Sequence, residues 1–253
     1  MSIISDINCI IEGKKMLFFY IRHGDPIYNP DSLTPFGHRQ AEAVGRMLAQ
    51  YRINEIYSST SERARLTAKP LSEIIKKDVT PLDFANESYA WRDLTCYSKA
   101  RGCHTWLFFA PEMKELFHTP ELISLGHEWY RHPVFSTEEF KDKDYGAGVE
   151  RIQKGSDELL ESLGYRRVSD GRYEVISHSD KRVALFAHQG FGLAFLSCVL
   201  GIPYPYFTTH FDICTTGVTV IEFGNDNGYS YPRILTLSSS AHLYKDGLPT
   251  RYT

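Results

Sequence analysis

Apolar positions along the chain alternate between two kinds of run. Met16–Ile21 (MLFFYI) is short and continuously apolar, the pattern of a strand buried on both faces. A polar turn, Arg22-His23-Gly24-Asp25-Pro26, follows it. Thr34 then suits a helix N-cap with Pro35 at the first helical position, and Ala41, Val44, Met47 and Leu48 repeat at helical spacing. Residues 54–57 (NEIY) predict a second strand. Ser61 caps a second predicted helix reaching about Lys77, and Val79–Phe84 reads as a weaker third strand. Arg172–Ile176 and Val183–Ala187 are strand-like, Gly190–Leu200 is an apolar helix, and Gly217–Phe223 and Arg233–Leu237 are closing strands.

This alternation predicts an α/β fold: a three-layer sandwich with a mostly parallel central sheet and helices on both faces. The link at His178-Ser179-Asp180 is too short for a parallel crossover. An antiparallel hairpin is therefore expected there. Residues 88–150 differ in kind. They are rich in Trp, Tyr and Phe, mixed with prolines and charges, and are weakly periodic. We read them as a helical insertion, packing or lid, over the carboxyl edge of the sheet. The whole chain, 1–253, reads as one domain, with residues 1–15 as an N-terminal extension.

Composition changes this picture little. Of 253 residues, 42% are hydrophobic, enough for a sizeable core, and the net charge of −3 favours neither nucleic acid nor a membrane surface. No window approaches the ~20 apolar residues of a membrane span. Five cysteines, an odd number without a CxxC pair, read as reduced thiols, and the expected location is cytoplasmic. Oligomeric state has no signal in the sequence.

Open α/β sheets place their sites at the carboxyl ends of strands. Four such ends carry reactive side chains: Arg22 with His23, Arg63 beyond Ser58-Ser59, Glu87, and His188 before a glycine-flanked helix. If these ends converge, two histidines, two arginines and a carboxylate meet in one cleft. Guanidinium forks suit phosphate oxygens. A neutral imidazole can attack phosphorus, and a carboxylic acid can protonate the leaving oxygen. The arginines supply the positive charge, so no metal or other cofactor is required.

The segment Arg22–Ala41 (RHGDPIYNPDSLTPFGHRQA) resembles the signature of the histidine phosphatase superfamily, which includes the cofactor-dependent phosphoglycerate mutases. Arg22, His23, Gly24, Asn29, Leu33, Thr34, Gly37, Gln40 and Ala41 fall in register with it. Ser58–Ala68 (SSTSERARLTA) resembles the second block, and Phe186–Gly190 (FAHQG) the block of the second histidine. The resemblance covers about residues 16–94 and 172–223. It implies that His23 is the nucleophile, and that Arg22, Arg63 and His188 bind the phosphoryl oxygens. It also implies a lesser contact from Asn29 and Glu87 as acid and then base. The sequence departs from the pattern at Asp25 for Glu, Pro26 for Thr, and Gln189 where the mutase-like branch has Gly. The Gln189 backbone N–H would still face phosphate. The Asp and the longer start of the acid phosphatase branch are missing, which places the chain nearer the mutase-like branch.

Alternatives remain open for some positions. His178 also ends a strand and could be the second histidine, and Asp93 or Glu112 could stand in for Glu87. His127 and His132 are five residues apart, one more than the HExxH zinc spacing, and read as surface or lid side chains. Arg92, Lys99, Arg101 and Arg131 hint at a second anionic group. The expected function is a metal-independent phosphomonoester phosphatase with a phosphohistidine intermediate, acting on a small phosphate ester. The rivals are a phosphoglycerate mutase-type isomerase and a non-catalytic phospho-ligand-binding module.

Overall fold

The computed structural model describes residues 15–252; the expected N-terminal extension falls, apart from Lys15, outside the described residues. The chain opens with strand β1 (Met16–Arg22), then the short strands β2 (Pro26–Tyr28) and β3 (Asp31–Leu33), helix α1 (Pro35–Ala49), strand β4 (Glu55–Ser59), helix α2 (Glu62–Ile75) and strand β5 (Val79–Leu82). A middle stretch holds helix α3 (Glu87–Asp93), strands β6 (Thr95–Ser98) and β7 (Cys103–Trp106), and helices α4 (Pro111–Phe117), α5 (Pro120–Leu125) and α6 (Tyr145–Ser162). Strands β8 (Tyr165–Ser169), β9 (Arg172–Val175) and β10 (Arg182–Ala187) follow, then helices α7 (Gln189–Leu200) and α8 (Tyr204–His210). Strands β11 (Val218–Phe223), β12 (Tyr229–Ser230) and β13 (Arg233–Ser239) and helix α9 (Ala241–Tyr244) complete the described chain.

Six strands form the central sheet in the order β13-β11-β1-β10-β4-β5. β1, β10, β4 and β5 run parallel, and β11 runs antiparallel to both its neighbours. The alternation in β1 sorts its side chains by layer. Phe19 and Ile21 join Val44, Leu48 and Leu71 from α1 and α2 on one face. Phe18 and Tyr20 join Ile152, Phe191 and Phe195 from α6 and α7 on the other. This is the expected three-layer α/β sandwich.

Two expectations need correction. The hairpin at His178-Ser179-Asp180 does not form. β9 pairs with β8 and β12 in a separate three-stranded sheet, while β10 enters the central sheet between β1 and β4. The patterns explain the split: Val183–Ala187 is buried throughout, as a central strand must be, whereas β9 alternates and turns back at Gly171, where φ is +65°. The antiparallel element of the sheet is β11, paired with β1 and β13.

The second correction is α6, an 18-residue helix that runs twelve residues past the expected end of the helical insertion at 150. Its inward stripe includes Gly148, Gly155 and Ser156 among Ile152, Leu159 and Leu160, so the hydrophobic periodicity is diluted. A Cβ at Gly155 would sit 2.4 Å from the Phe84 ring, so the small residue is required by packing.

Candidate active site

Strand register builds the site. Arg22 stands opposite Ala187, and Phe186 opposite Ser58, so His23, His188 and Ser59 come together at adjacent parallel strand ends. The backbone N–H of His23 donates to the Ala187 carbonyl at 2.9 Å. The two imidazole rings lie 5.2 Å apart between centroids, at 61°.

The Nδ1 of His23 is 2.7 Å from the carbonyl oxygen of Gly24. A carbonyl can only accept, so Nδ1 carries the hydrogen. Burial, and then the charges of Arg22 and Arg63, hold the imidazole pKa well below its ordinary value. The ring is therefore neutral, and its free lone pair is on Nε2.

The turn after His23 is fixed from several directions. Gly24 N–H donates to Thr67 Oγ1 at 3.0 Å, and Asp25 N–H to Gln40 Oε1 at 2.8 Å. Gln40 in turn donates to Thr215 Oγ1 at 3.0 Å. Thr34 Oγ1 donates to Asp25 Oδ2 at 2.7 Å and accepts Gly37 N–H at 3.0 Å, the N-cap of α1, an interaction of about 1 kcal/mol. A Cβ on Gly24 would lie 2.7 Å from the Gly37 carbonyl oxygen, so this approach needs glycine. The block from Leu33 to Ala41 is thus a scaffold for the His23 turn. Asp25 meets Arg251 at 2.9 Å, which turns its carboxylate toward the C-terminal segment.

Arg22 is buried and donates through NH1 to the Ile213 carbonyl at 2.7 Å. Arg63, in the first turn of α2, meets Asp31 Oδ1 at 2.7 Å, while Asp31 Oδ2 accepts Glu62 N–H at 2.8 Å. The Tyr28 ring covers the Arg63 guanidinium at 5.4 Å. The Nε atoms of Arg22 and Arg63 are buried without a hydrogen-bond partner, as is His188 Nδ1. An unmade bond to a buried polar group costs about 1–3 kcal/mol, so these groups favour an incoming oxyanion.

His188 is fully buried behind His23 rather than on the cavity surface. Its Nε2 lies 2.8 Å from Ser59 Oγ, and its backbone is held by the Tyr20 hydroxyl, which donates to the His188 carbonyl at 2.6 Å. Burial, then His23 and the two arginines, depress its pKa well below the ordinary range.

Glu87 opens α3, where the Asn86 side chain caps the helix by accepting Ser88 N–H. Its Oε1 accepts Gly190 N–H at 3.0 Å and its Oε2 accepts Phe191 N–H at 2.9 Å, both from the first turn of α7. Burial raises its pKa. The two backbone donors, Arg63 and Arg22 pull the other way without cancelling the rise. The proposed substitutes lie elsewhere: Asp93 pairs with Arg92 and Arg151, and Glu112 accepts from Ser98 and Lys99. His178 is exposed and does not line the cavity.

A cavity of about 830 Å³ opens over these groups, with Arg22, His23, Arg63, Glu87 and Gln189 on its surface. Gln189 starts α7 and donates from Nε2 to Asp212. Asn29 lies in the exposed turn between β2 and β3 and does not line the cavity. His127 meets Asp170 and the Gly201 carbonyl, and His132 accepts Val134 N–H; the two serve different partners. Among the described residues, no three His, Cys, Asp or Glu side chains are arranged to hold a metal.

Sequence reasoning missed the roles of Tyr28, Asp31, Trp91 and Trp106 in the walls. Trp91 had a readable signal. It lies four residues after Glu87 on α3, hence on the same helix face. Trp106 sits against Gly190, where a Cβ would meet its ring at 2.3 Å. It meets Trp91 edge to face at 5.0 Å and stacks on Phe108 at 5.7 Å.

Residues 18–96 match the sequence model of the histidine phosphatase superfamily, branch 1. A comparison with curated protein sequences finds no match. Among solved structures, a mycobacterial glucosyl-3-phosphoglycerate phosphatase is similar over 89% of this chain and 100% of its own, with 18% identity and a TM-score of 0.57. A phosphoserine phosphatase mutant from Entamoeba histolytica, in complex with phosphoserine, is similar over 90% and 99%, with 18% identity and a TM-score of 0.57. A putative α-ribazole-5′-phosphate phosphatase from Escherichia coli is similar over 88% and 96%, with 16% identity and a TM-score of 0.55. At these identities the likeness is one of fold, while the sequence match covers the His23 turn, the Arg63 helix and Glu87. Over residues 18–96 the chain is thus similar to the histidine phosphatase superfamily, branch 1, and over most of its length it shares the fold of these phosphatases.

Proposed function

We propose that the chain is a phosphomonoester phosphatase that works through a phosphohistidine at His23. The observation that carries this reading is the tautomer of His23: Nδ1–H is committed to Gly24, and the Nε2 lone pair remains on a ring beside two guanidinium groups. Cations and imidazole are held in place before substrate arrives, so little reorganisation accompanies the reaction.

Nε2 of His23 bonds to phosphorus as the ester P–O bond breaks, with Arg22 and Arg63 gripping the phosphoryl oxygens and the buried His188 backing the His23 ring. Glu87 in its carboxylic acid form gives its proton to the leaving oxygen, and the upward pull of burial on its pKa favours that form. One carboxyl oxygen leaves its backbone donor to do so. Glu87, now a carboxylate, takes a proton from water as that oxygen bonds to phosphorus and the P–N bond breaks. Inorganic phosphate leaves and the starting protonation state returns. The guanidinium groups supply the positive charge throughout, so the scheme draws on no metal.

Hydrolysis requires water at the phosphohistidine, whereas an isomerase must exclude it. Tyr28 and Trp91 on the cavity wall are 70% and 42% exposed, which supports solvent entry and the hydrolase over the mutase reading. We assign a small phosphate ester as substrate and residues 88–150 as a wall of the site within a single domain. Inorganic phosphate release from p-nitrophenyl phosphate tests the reading. Steady release by the wild type is expected, with a loss of about 10³-fold or more in His23→Ala and an unchanged Tm. Rapid interconversion of phosphoglycerates with negligible phosphate release would overturn it.

A further inference from the structure

We infer that the cavity selects a phosphate monoester whose alcohol portion is aromatic and carries no second anionic group. This rests on the phosphatase reading and names the substrate class of the same cavity.

The inference starts from charge. Among the described residues, Arg22 and Arg63 are the two cations on the cavity surface, and both belong to the phosphate-binding floor. Three carboxyl groups share that surface: Asp31, Glu62 and Glu87. The basic residues that suggested a second anion site in the sequence are engaged elsewhere. Arg92 pairs with Asp93, Lys99 with Glu139 and Arg131 with Glu128, while Arg101 lies over Phe109. None of the four lines the cavity. Glu87 is a carboxylic acid when substrate binds and Asp31 is paired with Arg63, so a substrate carboxylate or second phosphate would face the Glu62 carboxylate with no cation beyond the phosphate-binding floor to receive it.

Shape and surface give the second half. About 830 Å³ lies toward the upper end of the range for small-molecule sites, far more than a phosphoryl group or a three-carbon acid needs. Its remaining walls present the rings of Trp91, Trp106 and Tyr28 beside the uncharged polar side chains of Thr60, Ser61, Asn86 and Ser88. Trp91, half-exposed, meets the buried Trp106 almost perpendicularly, at 87°, so Trp91 presents the open ring of this corner. Such a corner receives a flat ring by offset stacking and edge contact. Trp106 is fixed by Phe108 and by the glycine at position 190, and Trp91 rests against it, so this backing is formed in advance.

The test is a series sharing one benzylic leaving oxygen: benzyl phosphate, 4-carboxybenzyl phosphate and 4-(aminomethyl)benzyl phosphate, with glycerol 3-phosphate as a neutral non-aromatic ester. On kcat/KM, the aminomethyl and unsubstituted esters should exceed the carboxy ester at least tenfold, and benzyl phosphate should exceed glycerol 3-phosphate at least tenfold. Glu62→Gln should narrow the first ratio, and Trp91→Leu should lower the second severalfold. Equal turnover of the carboxy and unsubstituted esters, equal turnover of benzyl and glycerol phosphates, or ratios untouched by both variants would overturn the inference while leaving the phosphatase reading intact. Phosphate release from none of the four esters would remove that reading, and the inference with it.

Discussion

The floor of the cavity and its walls are built on different principles. The floor gathers Arg22, His23 and Arg63 at the ends of parallel strands and the start of α2, with His188 buried behind His23. Each is buried, and the turn that carries His23 is held by Thr67, Gln40 and Thr34. The walls use aromatic rings from the β2–β3 hairpin, from α3 and from the end of β7, partly open to solvent. The difference separates two tasks. Attack on phosphorus tolerates little positional error, so its groups are over-determined by hydrogen bonds. Recognition of the alcohol portion needs area and shape, which a few fixed rings provide.

Replacing a floor residue should therefore hurt all substrates alike, and the largest such effect outside His23 is expected at Arg63. Arg63→Ala should lower kcat/KM by about 10²–10³-fold for every ester, as expected for a charge on the transferring group. A loss confined to bulky aromatic esters would move Arg63 into the walls and blur the distinction. Glu87 tests the boundary between the two regions, because it touches the leaving group. Glu87→Gln should cost about 10²-fold on alkyl phosphates and far less on p-nitrophenyl phosphate, whose leaving group departs without a proton. Equal losses on both would make Glu87 a structural cap of α7.

Gly190→Val probes how firmly the wall leans on the floor. Its side chain meets the Trp106 ring, so a destabilisation of about 1–3 kcal/mol is expected by chemical denaturation, with aromatic esters losing more activity than glycerol 3-phosphate. An unchanged preference among esters would show that Trp106 does not shape recognition.

A smaller effect concerns pH. His242, against Thr216 behind the floor, has its pKa lowered to about 4 by burial. A histidine depressed in the fold binds protons more readily when unfolded. Its stabilising contribution is thus complete above the ordinary value near 6.5 and is lost as pH falls toward 4, at most about 3 kcal/mol. His23 and His188 act in the same direction. Tm should fall across that window, and less steeply in His242→Gln; parallel slopes would assign the acid sensitivity to other groups.

The floor was legible because its residues occur in short blocks at strand ends. Arg22-His23-Gly24, Arg63 and His188 are each placed by a local pattern, and the parallel alternation of strands and helices brings those ends together. The walls were not, because Tyr28, Asp31 and Trp106 reach the cavity only through tertiary packing. Asp31 matters through a bond to Arg63, 32 positions away, which no local spacing encodes. The strand order failed at β9 for a similar reason. The short link to β10 was visible, but not the competing partners β8 and β12. Helix α6 was hidden by glycines that its close packing requires.

One atom, Nε2 of His23, carries the proposed chemistry. Rapid quenching of the enzyme with a phosphate monoester, followed by peptide mapping and ³¹P NMR, locates the phosphoryl group directly. The expected result is an acid-labile phosphohistidine at residue 23 with phosphorus on Nε2, absent from His23→Ala. Phosphorus on Nδ1, on His188, or on no protein atom during turnover would contradict it.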